Sequence, residues 1–331
     1  MRTYLIFIFL ATCQFSFCQN KRIDFQPAVF YRTFSPNNIP ALSIFPGDTI
    51  FTESVDAGGF DKTGTRVTER GNPLTGPFYI EGAQKGDVLA VTLTKVSLNR
   101  NYATTVEGFV PRSLPKDIIK KTWRNAKLVK WTLDIEKGYA YPNFVHEHLK
   151  NFKVPLTPFL GCVGVAAPTK RKETLTYFAG PFGGNLDFSK VTQGATIYLP
   201  IFHDGAFLYL GDGHAVQGDG ELNGDALETS MNFAFTTRII KKEELTLTFP
   251  RIEDSTYIIT VALDKTLDNA LKIATKGLLD WLQQDFHLSF LEATQVIGTS
   301  IEYRIPAIAG PKVEIAAMIK KEILMNLKKY N

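Results

Sequence analysis

Short β-prone runs closed by glycine and proline turns dominate this chain from about residue 25 to residue 249. Residues 87–96 alternate partly between apolar and polar side chains, as a half-buried strand does. Turn residues bound the runs, as at Pro46-Gly47-Asp48 and Gly183-Gly184-Asn185. Similar runs occur at residues 195–201, 207–210, 245–249 and 257–262. The pattern predicts a β-rich body.

The hydrophobic period changes near Thr266. Apolar residues then recur at steps of three and four, which predicts an amphipathic helix ending near Phe286. Ser289 and Glu292 have the spacing of a capping box, so a second helix should run to about Ile297. A strand at 300–305 and a mixed segment at 313–327 follow. We therefore expect an α+β segment over residues 263–331, packed on the body.

Composition excludes several classes of protein. The 331 residues carry a net charge of +4, which is too slight for a dedicated nucleic-acid binder. With 44% hydrophobic residues the chain can fold on its own core, and no segment has the length and apolarity of a membrane span. We expect no nucleic-acid partner and no transmembrane span.

The first eighteen residues have the order of a secretory signal peptide. Arg2 precedes an apolar run at residues 4–12, and small residues follow, with cleavage expected after Cys18. Lipoprotein processing at Cys13 and a buried first strand are the alternatives. The mature protein would be periplasmic or secreted, and it would keep one cysteine, Cys162.

Chemistry-bearing residues concentrate at 180–187 and 202–221. Glycines, carboxylates, an imidazole and a carboxamide crowd residues 211–221. Asp212 and His214 are two apart, so in an extended segment they face one side and could chelate one ion. Imidazole and carboxylate are ligands of Zn²⁺ and related divalent ions. A Gly/Asp turn with a solvent-facing histidine is the alternative.

Four blocks, 72–89, 158–164, 183–187 and 211–221, resemble the signature of the acetamidase/formamidase family and occur in its order. The resemblance implies a mainly β fold, with a β-sandwich-like catalytic body over residues 19–262 and the smaller α+β C-terminal segment. It also implies metal-dependent hydrolysis of short aliphatic amides, such as formamide or acetamide, to carboxylate and ammonia.

The resemblance also suggests which residues form the site. The metal-site residues it implies are Asp56, Asp187, Asp212, His214 and Glu228. A divalent ion is expected as cofactor, zinc first and calcium as the alternative. Glu221 is our candidate base, Asn185 could donate a hydrogen bond to the developing oxyanion, and Gln217 could orient the substrate amide. Turn formation by Asn185 and capping by Gln217 are the alternatives.

One departure from the family leaves a second function open. Many relatives have histidine where this chain has Phe182, whereas His203 lies where an apolar residue is common. The chain could therefore be a non-catalytic exported relative that binds a small ligand or metal through the same face. A small amide is the expected partner of the enzyme, and a homo-oligomer is open.

Two other features carry less functional weight. His146-Glu147-His148 is either a solvated charged face or, less simply, a pair of metal ligands, and a zinc site needs three or four converging groups. Cys162 lies in an apolar run, which favours an inert buried thiol over a nucleophile.

Overall fold

The computed structural model describes residues 20–122, 126–143, 147–168, 173–325 and 327. The strands are β1 (Arg22–Asp24), β2 (Phe30–Tyr31), β3 (Leu42–Ile44), β4 (Thr49–Glu53), β5 (Leu74–Ile80), β6 (Val88–Leu98), β7 (Tyr102–Val106), β8 (Leu128–Asp134), β9 (Tyr139–Pro142), β10 (Val154–Pro155), β11 (Phe159–Gly164), β12 (Ala179–Gly180), β13 (Gly183–Asn185), β14 (Thr196–Pro200), β15 (Leu208–His214), β16 (Glu228–Thr229), β17 (Met231–Ile240), β18 (Arg251–Glu253), β19 (Tyr257–Asp264), β20 (Glu302–Arg304) and β21 (Val313–Lys320). The helices are α1 (Lys116–Thr122), α2 (Leu267–Asp285), α3 (Phe290–Ser300) and α4 (Lys321–Leu324), with a 3-10 turn at Glu147–Leu149.

These strands form two large sheets. The first has the order β1-β4-β17-β6-β14-β18-β19-β21-β20, and the main path of the second is β10-β9-β8-β7-β16-β15-β11-β13-β12, with β5 pairing β15 and carrying β2 and β3. One apolar core lies between them, and the rings of Phe78 on β5 and Phe235 on β17 meet across it at 5.1 Å between centroids. Two sheets enclosing one core form a sandwich. The predicted mainly β fold with a smaller α+β C-terminal part is confirmed.

The C-terminal helices cover the far face of the first sheet. Alternate residues of β19 face opposite ways, so that Ile259 packs in the sandwich core and Ile258 packs under the helices. A Cβ added to Gly277 of α2 would lie 3.0 Å from Thr260, so this glycine allows close helix–sheet contact. The helix predicted to end near Phe286 is confirmed, with Thr266 as its N-cap.

The second C-terminal helix also begins as predicted. The hydroxyl of Ser289 accepts a hydrogen bond from the backbone N–H of Glu292, whose carboxylate accepts one from the N–H of Ser289. These two bonds complete the capping box and satisfy donors that the first helical turn leaves free.

The strand predicted at 245–249 is wrong. Leu245 and Leu247 pack against a small apolar cluster outside the sandwich, but the segment has no strand pairing. Alternation placed the side chains correctly, whereas a strand also needs a neighbouring backbone with free hydrogen-bonding groups.

Residues 102–155 extend the second sheet. Their strands β7 to β10 add to one end of the sheet, and β7 joins the body through the pairing of Thr104 with Glu228. The proposed signal peptide and His146 lie outside the described residues. Across the described ranges, no helix combines the length and apolarity needed to cross a membrane.

Candidate functional site

Neighbouring strands of the second sheet place three of the predicted ligands together. Asp212 and His214 are two apart on β15, so both side chains face the same side of the sheet. Glu228 on β16 lies directly opposite His214 in the antiparallel register. Directly paired residues in a sheet have neighbouring side chains, so the backbone alone holds these three groups close.

The imidazole of His214 is the centre of the cluster. Its Nε2 lies 3.1 Å from Oε1 of Glu228 and 3.4 Å from Oδ1 of Asp212. The ring of Phe159 on the adjacent strand meets the imidazole edge to face, with centroids 4.9 Å apart. The histidine is therefore fixed by packing on one side and by carboxylates on the other.

A chain of carboxamides connects Asp212 to Asp187. The Nδ2 group of Asn72 donates to Oδ2 of Asp212 at 3.1 Å and to Oδ1 of Asn185 at 2.6 Å. Asn185 in turn donates through its Nδ2 to Oδ2 of Asp187. The backbone N–H of Asp187 also donates to the carbonyl of Gly161 at 3.0 Å. Asp187, just beyond β13, is thus held against the same face as Asp212.

Gly161 on β11 leaves the space in which these groups meet. A Cβ at this position would lie 2.7 Å from Oδ1 of Asp187, from Oδ2 of Asp212 and from Cε1 of His214. Real Cβ atoms do not approach other heavy atoms so closely, so any side chain here would displace the cluster.

The loop that carries Glu221 is held by the C-terminal segment. Gly220 donates through its N–H to the carbonyl of Ile305 at 2.7 Å, and its own carbonyl accepts from the N–H of Ile308 at 2.9 Å. Arg304 also forms an ion pair with Asp219. The α+β segment therefore positions a side chain of the site.

Backbone strain concentrates here. Asn72, Asp187, Asp212 and Glu221 all have positive φ, between 39° and 60°, although none is glycine. Non-glycine residues in this region cost free energy and persist where the surroundings enforce them, often at functional sites.

Two overlapping groups could hold a metal ion. Asp187, Asp212 and His214 form one, and His214, Glu221 and Glu228 form the other, with ligand atoms within 4.8 Å of one another in each. These are the groups found among the described residues, and His214 belongs to both.

Burial raises the pKa of several acids in this cluster. Burial, with Asp212 nearby, raises the pKa of Asp187 to about 7. Burial likewise raises the pKa of Glu228 to about 8 and, together with Asp187, raises the pKa of Glu221 well above its usual value. Burial opposes the charge on His214, but Glu228 and Asp212 outweigh it and raise the imidazole pKa well above its usual value. When they are all ionised, these acids place more negative charge in the buried site than the single imidazole can neutralise.

The donor set fits a divalent cation. Oδ1 of Asp187 and Oε2 of Glu228 are buried with no hydrogen-bond partner. Ligand atoms about 2.1 Å from a tetrahedral zinc ion lie about 3.4 Å apart. The distances of 3.1 and 3.4 Å from Nε2 of His214 to its two carboxylates are of this size. One ion would offset several buried negative charges at once.

The cluster opens into a cavity of about 1340 Å³. Asp187, Asp212, Glu221 and Glu228 all contribute to its lining, as does Glu314 of β21. Glu314 is buried, its Oε2 has no hydrogen-bond partner, and burial with Asp187 nearby raises its pKa well above the usual value. Buried acids, apolar walls and a single large concavity are the usual features of a ligand site.

Comparison with known proteins agrees with this geometry. The model of the Acetamidase/Formamidase family matches residues 171–303, which include Asp187, Asp212, His214, Glu221 and Glu228. The resemblance to the acetamidase/formamidase family is confirmed.

Three similar proteins show how much of the chain the resemblance covers. A candidate formamidase of Schizosaccharomyces pombe is 24% identical over 254 residues, and the match spans 61% of this chain and 62% of that protein. The acetamidase structure from Yersinia enterocolitica is 25% identical, with a TM-score of 0.79 over 93% of this chain and 94% of that one. The acetamidase structure from Bacillus halodurans is 26% identical, with a TM-score of 0.77 over 92% and 99%.

Two residues implied by the acetamidase/formamidase resemblance have other partners. Asp56 lines the cavity, but Arg100 donates to its Oδ2 at 2.6 Å and the backbone N–H groups of Gly58 and Phe60 donate to its Oδ1. Gln217 donates to the backbone carbonyls of Asp187 and Pro306 at 2.6 and 3.1 Å. Their roles as ligand and substrate-orienting group stay predictions.

The two departures from the acetamidase/formamidase pattern, Phe182 and His203, lie in different parts of the structure. Phe182 is buried, lines the cavity and packs on Phe34 with centroids 5.1 Å apart. His203 contacts the carbonyl of Ala167 through Nε2 at 2.9 Å, away from the cavity lining. Cys162 is a buried free cysteine, and burial raises its thiol pKa well above the usual value.

Sequence reasoning assigned no role to Asn72, Gly161 or Glu314. Asn72 and Gly161 lie within blocks that resemble the family, but their contacts with Asp212 and Asp187 depend on strand pairing. Glu314 lies outside the four blocks that resemble the family, and its position could be found only from the fold.

Proposed function

We propose that this protein hydrolyses the C–N bond of amides, giving a carboxylate and ammonia, with a divalent metal ion held around His214. The observation that carries the proposal is the pair of candidate metal groups that share His214 and whose carboxylates line one cavity. The match to the acetamidase/formamidase family supports the reaction.

Asp187, Asp212, His214 and Glu228 would hold the ion. A bound divalent ion polarises the amide carbonyl and lowers the pKa of a water molecule to about 7. The imidazole suits zinc, and the carboxylate-rich set makes calcium the alternative.

Glu221 is proposed to move the proton. Its buried carboxyl lies beside the ligands, with a carboxylate oxygen within 4.8 Å of ligand atoms of His214 and Glu228. Glu221 would take a proton from the attacking water and pass it to the leaving nitrogen. Asn185 holds Asp187 by a hydrogen bond and is proposed to assist at the developing oxyanion.

The experiment is metal analysis followed by ammonia release from formamide and acetamide. Wild-type protein should contain a divalent ion and release ammonia. Glu221→Gln should keep the metal but lose at least about 100-fold in kcat, because general acid–base catalysis contributes about 10²–10⁴-fold. Loss of metal in Glu221→Gln would overturn its assignment as the base.

A non-catalytic, ligand-binding relative is the second candidate. Phe182 in the cavity, where many relatives have histidine, favours it. Metal-loaded protein that binds an amide but releases no ammonia from any amide would support this candidate and overturn the enzyme.

Export is proposed as well, on the sequence pattern of residues 1–18 alone. Mass spectrometry of protein recovered from cells should give a mature N-terminus at Gln19. An N-terminus at Met1, or a lipid-modified Cys13, would overturn cleavage after Cys18.

A further inference from the structure

The cavity is far larger than formamide or acetamide requires. Its volume is about 1340 Å³, whereas sites for drug-sized ligands are typically about 300–1,000 Å³. Acetamide carries one methyl group beside its amide, so it would leave most of this space to water. Apolar walls that the substrate does not touch contribute no binding energy. Binding energy from parts of the substrate far from the reacting bond is what raises specificity.

Aromatic side chains line the space beside the acidic cluster. The aromatic lining residues are Phe60, Tyr102, Tyr177, Phe178 and Phe182. Aromatic and apolar surfaces bind apolar ligands by removing them from water and by ring contacts. The acids lie in the same cavity. When the amide group of a substrate is bound at the acidic cluster, the rest of the substrate would therefore lie along these walls.

The aromatic wall and the cluster share one hairpin. Phe182 lies in the turn between β12 and β13, and β13 ends at Asn185, which holds Asp187. A Cβ on Gly184 would be 2.9 Å from the ring of Phe182, so the ring lies directly over β13. The turn that supplies Phe182 is therefore fixed relative to the acids.

We infer that the substrate is a primary amide whose acyl group carries an aromatic or extended apolar body that packs on Phe178 and Phe182. This inference rests on the proposed function and names its substrate class. Water adds to the amide carbon and one of its protons passes to the leaving nitrogen. The C–N bond breaks, ammonia leaves, and the apolar carboxylic acid that remains ionises to carboxylate, its proton passing to ammonia or to solvent.

The test compares acetamide, hexanamide and phenylacetamide by ammonia release. kcat/KM should rise at least about tenfold from acetamide to phenylacetamide, because one methylene in an apolar pocket is already worth about 10–200-fold. Phe178→Ala and Phe182→His should each lower the ratio of phenylacetamide to acetamide activity at least about tenfold. Phe45→Ala, an exposed phenylalanine outside the cavity lining, is the matched control and should leave the ratio unchanged.

A binding measurement needs no turnover. Calorimetry should show phenylacetate binding at least about tenfold more tightly than acetate, and Phe178→Ala should reduce that difference. Equal binding of the two carboxylates, or acetamide turned over as well as phenylacetamide, would overturn the inference while amide hydrolysis stands. Absence of ammonia from every amide, with phenylacetate still preferred, would overturn the proposed function instead.

Discussion

Nε2 of His214 lies 3.1 Å from Oε1 of Glu228, its direct partner across two antiparallel strands. The same nitrogen lies 3.4 Å from Oδ1 of Asp212, two residues earlier on its own strand. The imidazole of His214 thus contacts one carboxylate on its own strand and one on the adjacent strand. Both candidate metal groups contain this histidine.

His214→Ala should abolish metal binding and lower amidase activity at least about 100-fold, since losing even an outer-shell partner of a metal costs about 10–100-fold. Elemental analysis and ammonia release measure the two effects. His148→Ala, an exposed histidine on a surface turn, is the matched control and should keep both. Full metal content in His214→Ala would mean that the ion lies elsewhere.

Gly161→Ala should disrupt the cluster without a backbone conflict, because the residue is not at positive φ and the new methyl would meet three side chains at 2.7 Å. Overpacking of this kind costs about 1–3 kcal/mol, so metal affinity should fall at least about tenfold. A calorimetric titration with zinc measures it. Gly298→Ala, where a Cβ meets nothing within 4 Å, should leave affinity unchanged. Equal affinity in both variants would contradict the proposal that the ligands need the space left by Gly161.

Part of this site could be predicted from the sequence, and the reason is local spacing. Asp212 and His214 are two residues apart, so their shared face follows from strand geometry. Glu228 was implied by the family resemblance, but its contact with His214 depends on the register of β15 and β16.

The remaining site residues depend on long-range contacts. Asn72 reaches Asp212 across 140 residues of chain, and Gly161 approaches the cluster from a third strand. Arg100 forms a buried ion pair with the carboxylate of Asp56, and no spacing in the sequence indicates this pair. The fold could be predicted more directly from the sequence, because turn residues, strand alternation and helix caps are local signals. Residues 245–249 are the exception, since they alternate but have no partner strand.

Metal binding should strengthen as pH rises. The folded-state pKa of Asp187 is raised to about 7 and that of Glu228 to about 8, so in metal-free protein both carboxyls hold protons at lower pH. An ion must displace these protons and the proton on His214, whose pKa is also raised, so affinity should rise from about pH 6 to pH 9. Titrations in buffers of different ionisation enthalpy count the released protons. Affinity independent of pH over that window would contradict the assignment.

Glu314→Gln should change how stability depends on pH. Because burial raises the folded-state pKa of Glu314, the folded protein holds a proton that the unfolded chain loses above its ordinary pKa of about 4.5. Wild-type stability therefore falls as pH rises above that value, by up to about 1.4 kcal/mol per pH unit for one proton. Glu314→Gln has no such proton to lose. Its free energy of unfolding should therefore increase relative to that of the wild type as pH rises. Urea unfolding from pH 4 to pH 8 measures the difference; a constant difference would contradict a raised pKa.

The central claim is that a metal ion at His214 drives amide hydrolysis. Its most direct test is ammonia release from phenylacetamide and acetamide by one preparation, measured as purified, after chelator treatment and after zinc is restored. We expect activity that disappears with the metal and returns with zinc in wild-type protein, and that does not return in His214→Ala. Activity that survives complete removal of metal would contradict it.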